Sequence, residues 1–153
     1  APPESRWWRD RYVELAADLE GENPLPARGG NFADYRGPLW RFVDQALRWA
    51  EAENLSVQQA CEAWHSGAYV LETVPSVLWT LMRHAHDPEE AIVRAVNDTW
   101  DNDTTGAIVG AVVGALHGSR AIPPRWIQNL VGRTGDSDDG RVPELIRQAR
   151  ECF

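Results

Sequence analysis

A chain of 153 residues carrying a net charge of −8 is long enough for one domain with a real core, and too acidic for nonspecific nucleic-acid binding, which wants a basic face. The apolar run Ala107–Leu116 is too short to span a bilayer, and the opening Ala1-Pro2-Pro3-Glu4 has no apolar core of a signal peptide. Cys61 and Cys152, the only cysteines, stand far apart and predict free thiols in a reducing cytoplasm rather than a disulfide framework.

In chain order, Ser5–Glu20 is predicted as a helix, with Trp8, Tyr12, Leu15 and Leu19 on one stripe. The Pro- and Gly-rich stretch from Gly21 to Gly30 predicts a loop. Pro38–Glu53 predicts a second helix that buries Leu39, Val43, Ala46, Leu47 and Ala50 and solvates Arg41, Asp44, Arg48 and Glu51. Ser56 is the predicted cap of a third helix, Val57–Trp64. Gly67 opens a further helix whose Val70, Val74, Val77, Leu78 and Leu81 suit burial, with Pro75 either near its first turn or kinking it. Glu72 is the one acid in that apolar stretch; it either supports the site or pairs with an arginine, and pairing is the simpler role. Arg83, His84 and His86 complement the helix C-terminus; His-x-His here has no further zinc ligands at suitable spacing. Asp87-Pro88-Glu89-Glu90 combines an Asp cap, Pro at the first position and Glu at the third, and starts a helix to about Val96. Gly118 stops the helix that follows, Thr104–His117. Short helices are predicted over Arg125–Val131 and from Pro143, separated by a polar loop, residues 132–140. No stretch alternates as strands do. The expectation is an all-α, compact, bundle-like unit of about eight helices.

The chemistry concentrates in Asn97–Gly106. Asp101 and Asp103 stand two apart, a spacing that turns two side chains about 200° away from each other within one helix. They converge only if Asp101 sits in the loop and Asp103 at the helix start, with the Thr104 hydroxyl beside them. Such oxygens suit Mg²⁺, Mn²⁺ or Ca²⁺ rather than zinc. Two plainer readings compete: a simple N-cap, and a calcium loop. An EF-hand loop needs a Glu at its twelfth position, where this chain has Val112. Gly106, Gly110, Gly114 and Gly118 recur every four residues, so the helix is expected to lie centrally with another helix close against it.

Trp100-Asp101-Asn102-Asp103-Thr104-Thr105-Gly106 and the small-residue helix after it resemble the Gly-Asp-Thr-Asp-Thr motif and following helix of the ADP-ribosylglycohydrolases. Upstream, Ser66-Gly67-Ala68-Tyr69-Val70-Leu71-Glu72-Thr73 resembles that family's Gly-Tyr-Val-x-Glu-Thr segment, and downstream Ile122-Pro123-Pro124-Arg125-Trp126 resembles its Ile-Pro-x-x-Trp element. The resemblance implies an all-α hydrolase with two Mg²⁺ or Mn²⁺ ions that cleaves ADP-ribosylated substrates, either proteins or small molecules. Asp101, Asp103 and Thr104 would be metal ligands. Gly67 and Tyr69 would border the ligand, Tyr69 stacking on the adenine or lining its pocket; the alternative for Tyr69 is an ordinary core aromatic. The family's Thr-Asp-Asp ligand motif occurs nowhere in the chain; Asp136-Ser137-Asp138-Asp139 is its nearest imitation. The chain therefore resembles the C-terminal portion of a longer enzyme, with a companion segment or chain carrying the other half. The contrasting expectation is a non-catalytic helical binding or assembly module.

Overall fold

The computed structural model describes residues 2–128 and 140–152. It divides into two compact units, one ending at Ala121 and one beginning at Ile122. Among the described residues the fold is all-α, with eight α-helices and one minimal two-stranded ladder.

In the first unit α1 spans Ser5–Glu20 and α2 spans Leu39–Ala52. The loop between them folds back through β1 (Leu25–Pro26) and β2 (Arg36–Gly37), an antiparallel pair too short to be read from alternation. Then come α3 (Val57–Trp64), α4 (Val70–His84), α5 (Pro88–Asn97) and α6 (Asn102–His117).

The helix starts follow local chemistry. Ser56 Oγ accepts from the Gln59 N–H while the Gln59 side chain accepts from the Ser56 N–H, a reciprocal cap on α3. Asp87 accepts from the Glu90 N–H at the start of α5, with Pro88 in first position. Pro38 cannot cap α2; the Glu20 carboxylate at the end of α1 does so instead, accepting from the Trp40 N–H at 2.9 Å and from the Tyr12 hydroxyl at 2.9 Å.

α1 uses only the first half of its predicted hydrophobic stripe: Trp8 and Tyr12 pack against the core, but the stripe turns outward beyond them. Arg9 is only 4 % exposed and Ala16 is buried, while Leu19 is 84 % exposed and Leu15 also faces outward. The reason is electrostatic: the Arg9 guanidinium reaches Glu51 at 3.0 Å and Asp10 at 2.7 Å, with Asp44 at 3.7 Å. Those partners draw Asp44 and Glu51 out of the fully solvated positions predicted for them.

Two apolar cores share α4. On one side Leu71, Trp79 and Met82 meet Phe42, Val43 and Leu47 of α2 and Cys61 and Trp64 of α3. On the other, Val77 and Leu81 meet Ala91 and Ala95 of α5 and Val109 and Val113 of α6. A helix apolar on all sides belongs at the centre, so α4 takes the place expected for α6. Pro75 lies in its second turn and removes the hydrogen bond that residue 75 would give Leu71. Ser76 Oγ holds the neighbouring turn, donating to the Glu72 carbonyl at 2.6 Å and accepting from Trp64 Nε1 at 2.9 Å.

α6 buries only Thr105, Val109 and Val113. Ala107, Ala111 and Ala115 are exposed, and Ile108 is 40 % exposed. The glycine repeat is correspondingly only half used. A Cβ on Gly106 would lie 2.9 Å from Val96 Cγ2, and one on Gly110 would make ordinary contact with Ile92, but one on Gly114 or Gly118 would meet nothing. α5 presses on the Gly106 side of α6 and shares a core cluster with its Val109 and Val113.

The second unit contains α7 (Pro124–Gln128) and α8 (Arg141–Ala149), the latter tied by Arg147 to Glu144 and Glu151. α8 starts two residues before the predicted Pro143, and Leu145 and Ile146 are exposed. The end of the predicted helix at Val131, the polar loop up to residue 139 and the Asp136–Asp139 stretch lie outside the described residues.

Candidate functional site

Three connections converge at one end of the first unit. His65–Tyr69 joins α3 to α4, Asp98–Asp101 joins α5 to α6, and Gly29–Gly30 belongs to the loop after α1. Ser66, fully buried, stitches the first two: its carbonyl accepts from the Asp101 N–H at 2.8 Å, and its hydroxyl from the Trp100 N–H at 3.0 Å. The His65 ring meets Trp100 edge-on at 4.9 Å and also closes over the two glycines. Trp100 itself stays 63 % exposed.

Asp101 is the N-cap residue of α6 and Asp103 lies in its first turn, the arrangement their spacing demands. Asp101 does not act as an ordinary cap: its side chain accepts no hydrogen bond from the helix N–H groups, and its Oδ2 is buried without a partner. Asp103 Oδ1 accepts from the Thr104 N–H at 2.8 Å. That bond, followed by interaction with the Asp101 carboxyl, holds Asp103 below the usual carboxylate range. Asp103 thus lies near enough to Asp101 for the two carboxyl groups to influence each other. Thr105, one residue beyond Thr104, is fully buried with its Oγ1 unpaired.

These oxygens fit part of a hard-cation site. A buried carboxylate oxygen without a partner near a second carboxylate, at the positive end of a helix, is donor chemistry of the kind a hard divalent ion takes. The fit is partial: among the described residues no three His, Cys, Asp or Glu side chains gather as metal ligands. Asp98 is engaged by Arg94 in an ion pair at 3.3 Å, and His117 bonds the Ala85 carbonyl at 2.7 Å.

The other predicted site residues lie across the Ser66 stitch. Tyr69 is the N-cap residue of α4, packs partly into the core beside α2 and α3, and carries the Arg28 guanidinium 4.0 Å from its ring centroid. Gly67 stands where a Cβ would lie 2.7 Å from Glu72 Oε2. Glu72 itself corrects the expected arginine pair. It is 7 % exposed, and among the described residues its carboxylate forms no ion pair or hydrogen bond. Ser66 and Arg28 were not singled out by the sequence. The only signal for Glu72 was an isolated acid in an apolar run, and nothing local marks Ser66 as the stitch.

Comparison with known proteins agrees with this arrangement of motifs. The sequence profile of the ADP-ribosylglycohydrolase family matches residues 9–151. An ADP-ribosylarginine hydrolase, Tri1, of Pseudomonas putida is 30% identical over 73 residues, 48% of this chain and 19% of the relative. An uncharacterized protein of Archaeoglobus fulgidus is 33% identical over 93 residues, 60% of this chain and 30% of its own. The ADP-ribosyl-[dinitrogen reductase] glycohydrolase of Rhodospirillum rubrum is 34% identical over 65 residues, 42% of this chain and 22% of the enzyme. The matched part is thus under a third of the length of each of these relatives. No solved structure matches the chain. With motif order, helical architecture and profile in agreement, the chain belongs to the ADP-ribosylglycohydrolase family.

Proposed function

We propose that this chain forms the C-terminal helical portion of a metal-dependent hydrolase that cleaves the glycosidic bond of ADP-ribosylated substrates. In this reading Asp101, Asp103 and Thr104 supply one side of a dinuclear Mg²⁺ or Mn²⁺ centre. The observation that carries it is the Asp101 carboxyl, which sits at the N-cap of α6 without capping it, leaves Oδ2 buried and unpaired, and lies near enough to influence Asp103. A cation at the positive end of α6 needs such anionic ligands. When bound, the ions supply fixed positive charge and Lewis acidity beside the ribose. Gly67 and Tyr69 border the ligand on the other side of the Ser66 stitch, with Arg28 held over Tyr69. The missing ligands and the acid/base group come from a companion segment or chain. The names of the Tri1 and dinitrogen reductase relatives support an ADP-ribosylated protein as substrate. Free Cys61 and Cys152 support the cytoplasm as the compartment, and among the described residues no helix is long and apolar enough to cross a membrane.

One observation favours a second reading, a non-catalytic module: two carboxylates alone do not enclose a metal. Titration calorimetry separates the two. Mn²⁺-dependent binding of ADP-ribose with a Kd on the order of micromolar, lost in Asp101→Ala, is the expected result. Calorimetric silence in the presence of Mn²⁺ favours the module.

A further inference from the structure

Thr105 carries a hydroxyl into the interior and bonds nothing with it. The residue is fully buried, and its Oγ1 is sealed from solvent without a hydrogen-bond partner. A buried threonine in a helix has a ready acceptor in the carbonyl four residues back. Other buried hydroxyls of these helices take it. Ser76 donates to the Glu72 carbonyl at 2.6 Å, Thr80 to the Ser76 carbonyl at 2.8 Å and, just past α5, Thr99 to the Ala95 carbonyl at 2.6 Å. For Thr105 that carbonyl belongs to Asp101, which receives the Thr105 N–H at 3.0 Å but not the hydroxyl. Asp101 itself carries a second sealed and unpartnered atom, Oδ2. Four positions apart, the two side chains lie on the same side of α6, about one turn from each other. Thr104, by contrast, is exposed.

Asp101 as a whole is half-buried, while Asp103 is exposed. The sealed oxygen of Asp101 therefore faces the interior, on the side of Thr105, and a cation shared with Asp103 approaches from the solvent side. A carboxylate oxygen and a hydroxyl that are both buried and unbonded each oppose folding. One water satisfies both, with the hydroxyl donating to the water and the water donating to the carboxylate. A cation fits that inner position less well, because one carboxylate oxygen and one hydroxyl are too few hard ligands. We infer that Thr105 is a positioning residue of the candidate metal centre: its sealed hydroxyl holds the inner oxygen of Asp101 through one enclosed water and so fixes the direction in which that carboxylate meets the ion. The inference rests on the metal-dependent reading and adds to it a residue one place beyond the stretch that resembles the Gly-Asp-Thr-Asp-Thr motif.

The test is calorimetric titration of the whole chain with Mn²⁺ alone, in the wild type, Thr105→Val and Thr105→Ser, with the metal-free thermal midpoint of each. Thr105→Val keeps the shape and removes the hydroxyl. It is expected to weaken Mn²⁺ binding roughly 10- to 100-fold, the range for losing a group that orients a metal ligand. Thr105→Ser keeps the hydroxyl and loses a packed methyl group. It is expected to hold Mn²⁺ within about threefold of the wild type even though its midpoint falls. A merely structural role reverses that order, with affinity following the midpoint and Thr105→Ser the weaker binder. A crystal structure of the metal-free wild type is expected to show one water within about 3.2 Å of both Asp101 Oδ2 and Thr105 Oγ1. A Thr105→Val variant that binds Mn²⁺ like the wild type, a Thr105→Ser variant as weak as Thr105→Val, or the lack of that water overturns the inference and leaves the metal-dependent reading standing. A wild type that does not bind Mn²⁺ overturns both.

Discussion

A methyl group on Gly30 would lie 2.1 Å from the Ala63 carbonyl oxygen, in a backbone with φ of +66°. Neither the oxygen nor the backbone can yield cheaply, because Ala63 sits at the end of α3 beside the buried Trp64. Gly30→Ala is therefore expected to destabilise the first unit by about 2–4 kcal/mol, read from urea unfolding; a change under about 0.5 kcal/mol would contradict the close approach. At this scale the candidate site was only partly legible in the sequence. The convergence of Asp101 and Asp103 could be argued because a fixed helical pitch ties residue spacing to direction. The isolation of Glu72 could not, since the absence of a partner is a property of three dimensions. The same holds for Ser66, whose hydroxyl and carbonyl serve a loop that is 34 residues away in the chain.

Among the elements, α1 meets α2 through ion pairs as well as through Trp8 and Tyr12, which pack on the core. Glu51 receives Arg6 at 2.7 Å and Arg9 at 3.0 Å, and the Arg6 bond is the first cause that holds its pKa below the ordinary 4.5, against the opposing effect of burial. A carboxylate whose folded pKa is depressed stabilises the fold above its unfolded pKa and loses that contribution as pH falls through the folded value. Docking of α1 should thus be insensitive to pH above about 4.5 and weaken below it. Tryptophan fluorescence and thermal midpoints between pH 6 and pH 3 follow this, and Glu51→Gln is expected to flatten the acid limb. An unchanged acid limb in that variant would refute the assignment. The helices whose starts carry their own caps, α3 and α5, were readable to the residue. The inward face of α1 was readable only at Trp8 and Tyr12, because a hydrophobic stripe gives no weight to an arginine that finds three carboxylates. α6 misled in the opposite way: glycines at helical spacing permit close packing, but only Gly106 is pressed by a neighbour.

On the scale of the whole molecule, α4 is the wall between two cores, and the outer side of α6 is left uncovered. An apolar cavity of about 210 Å³ opens between α1, α4 and α6, lined by Tyr12, Thr73, Val74, Val77, Leu78 and Ile108. Ile108→Glu on that rim is expected to change stability by less than about 1 kcal/mol, because the side chain already meets water; a loss above about 2 kcal/mol in urea unfolding would mean that α6 is as buried as its composition first implied. The uncovered face continues to the helix start that carries Asp101 and Asp103. What most directly tests that pair is an anomalous difference map of crystals grown with Mn²⁺. The account predicts a peak about 2.0–2.3 Å from carboxylate oxygens of both Asp101 and Asp103; a saturated crystal with no peak there, or with Mn²⁺ bound elsewhere only, would contradict it.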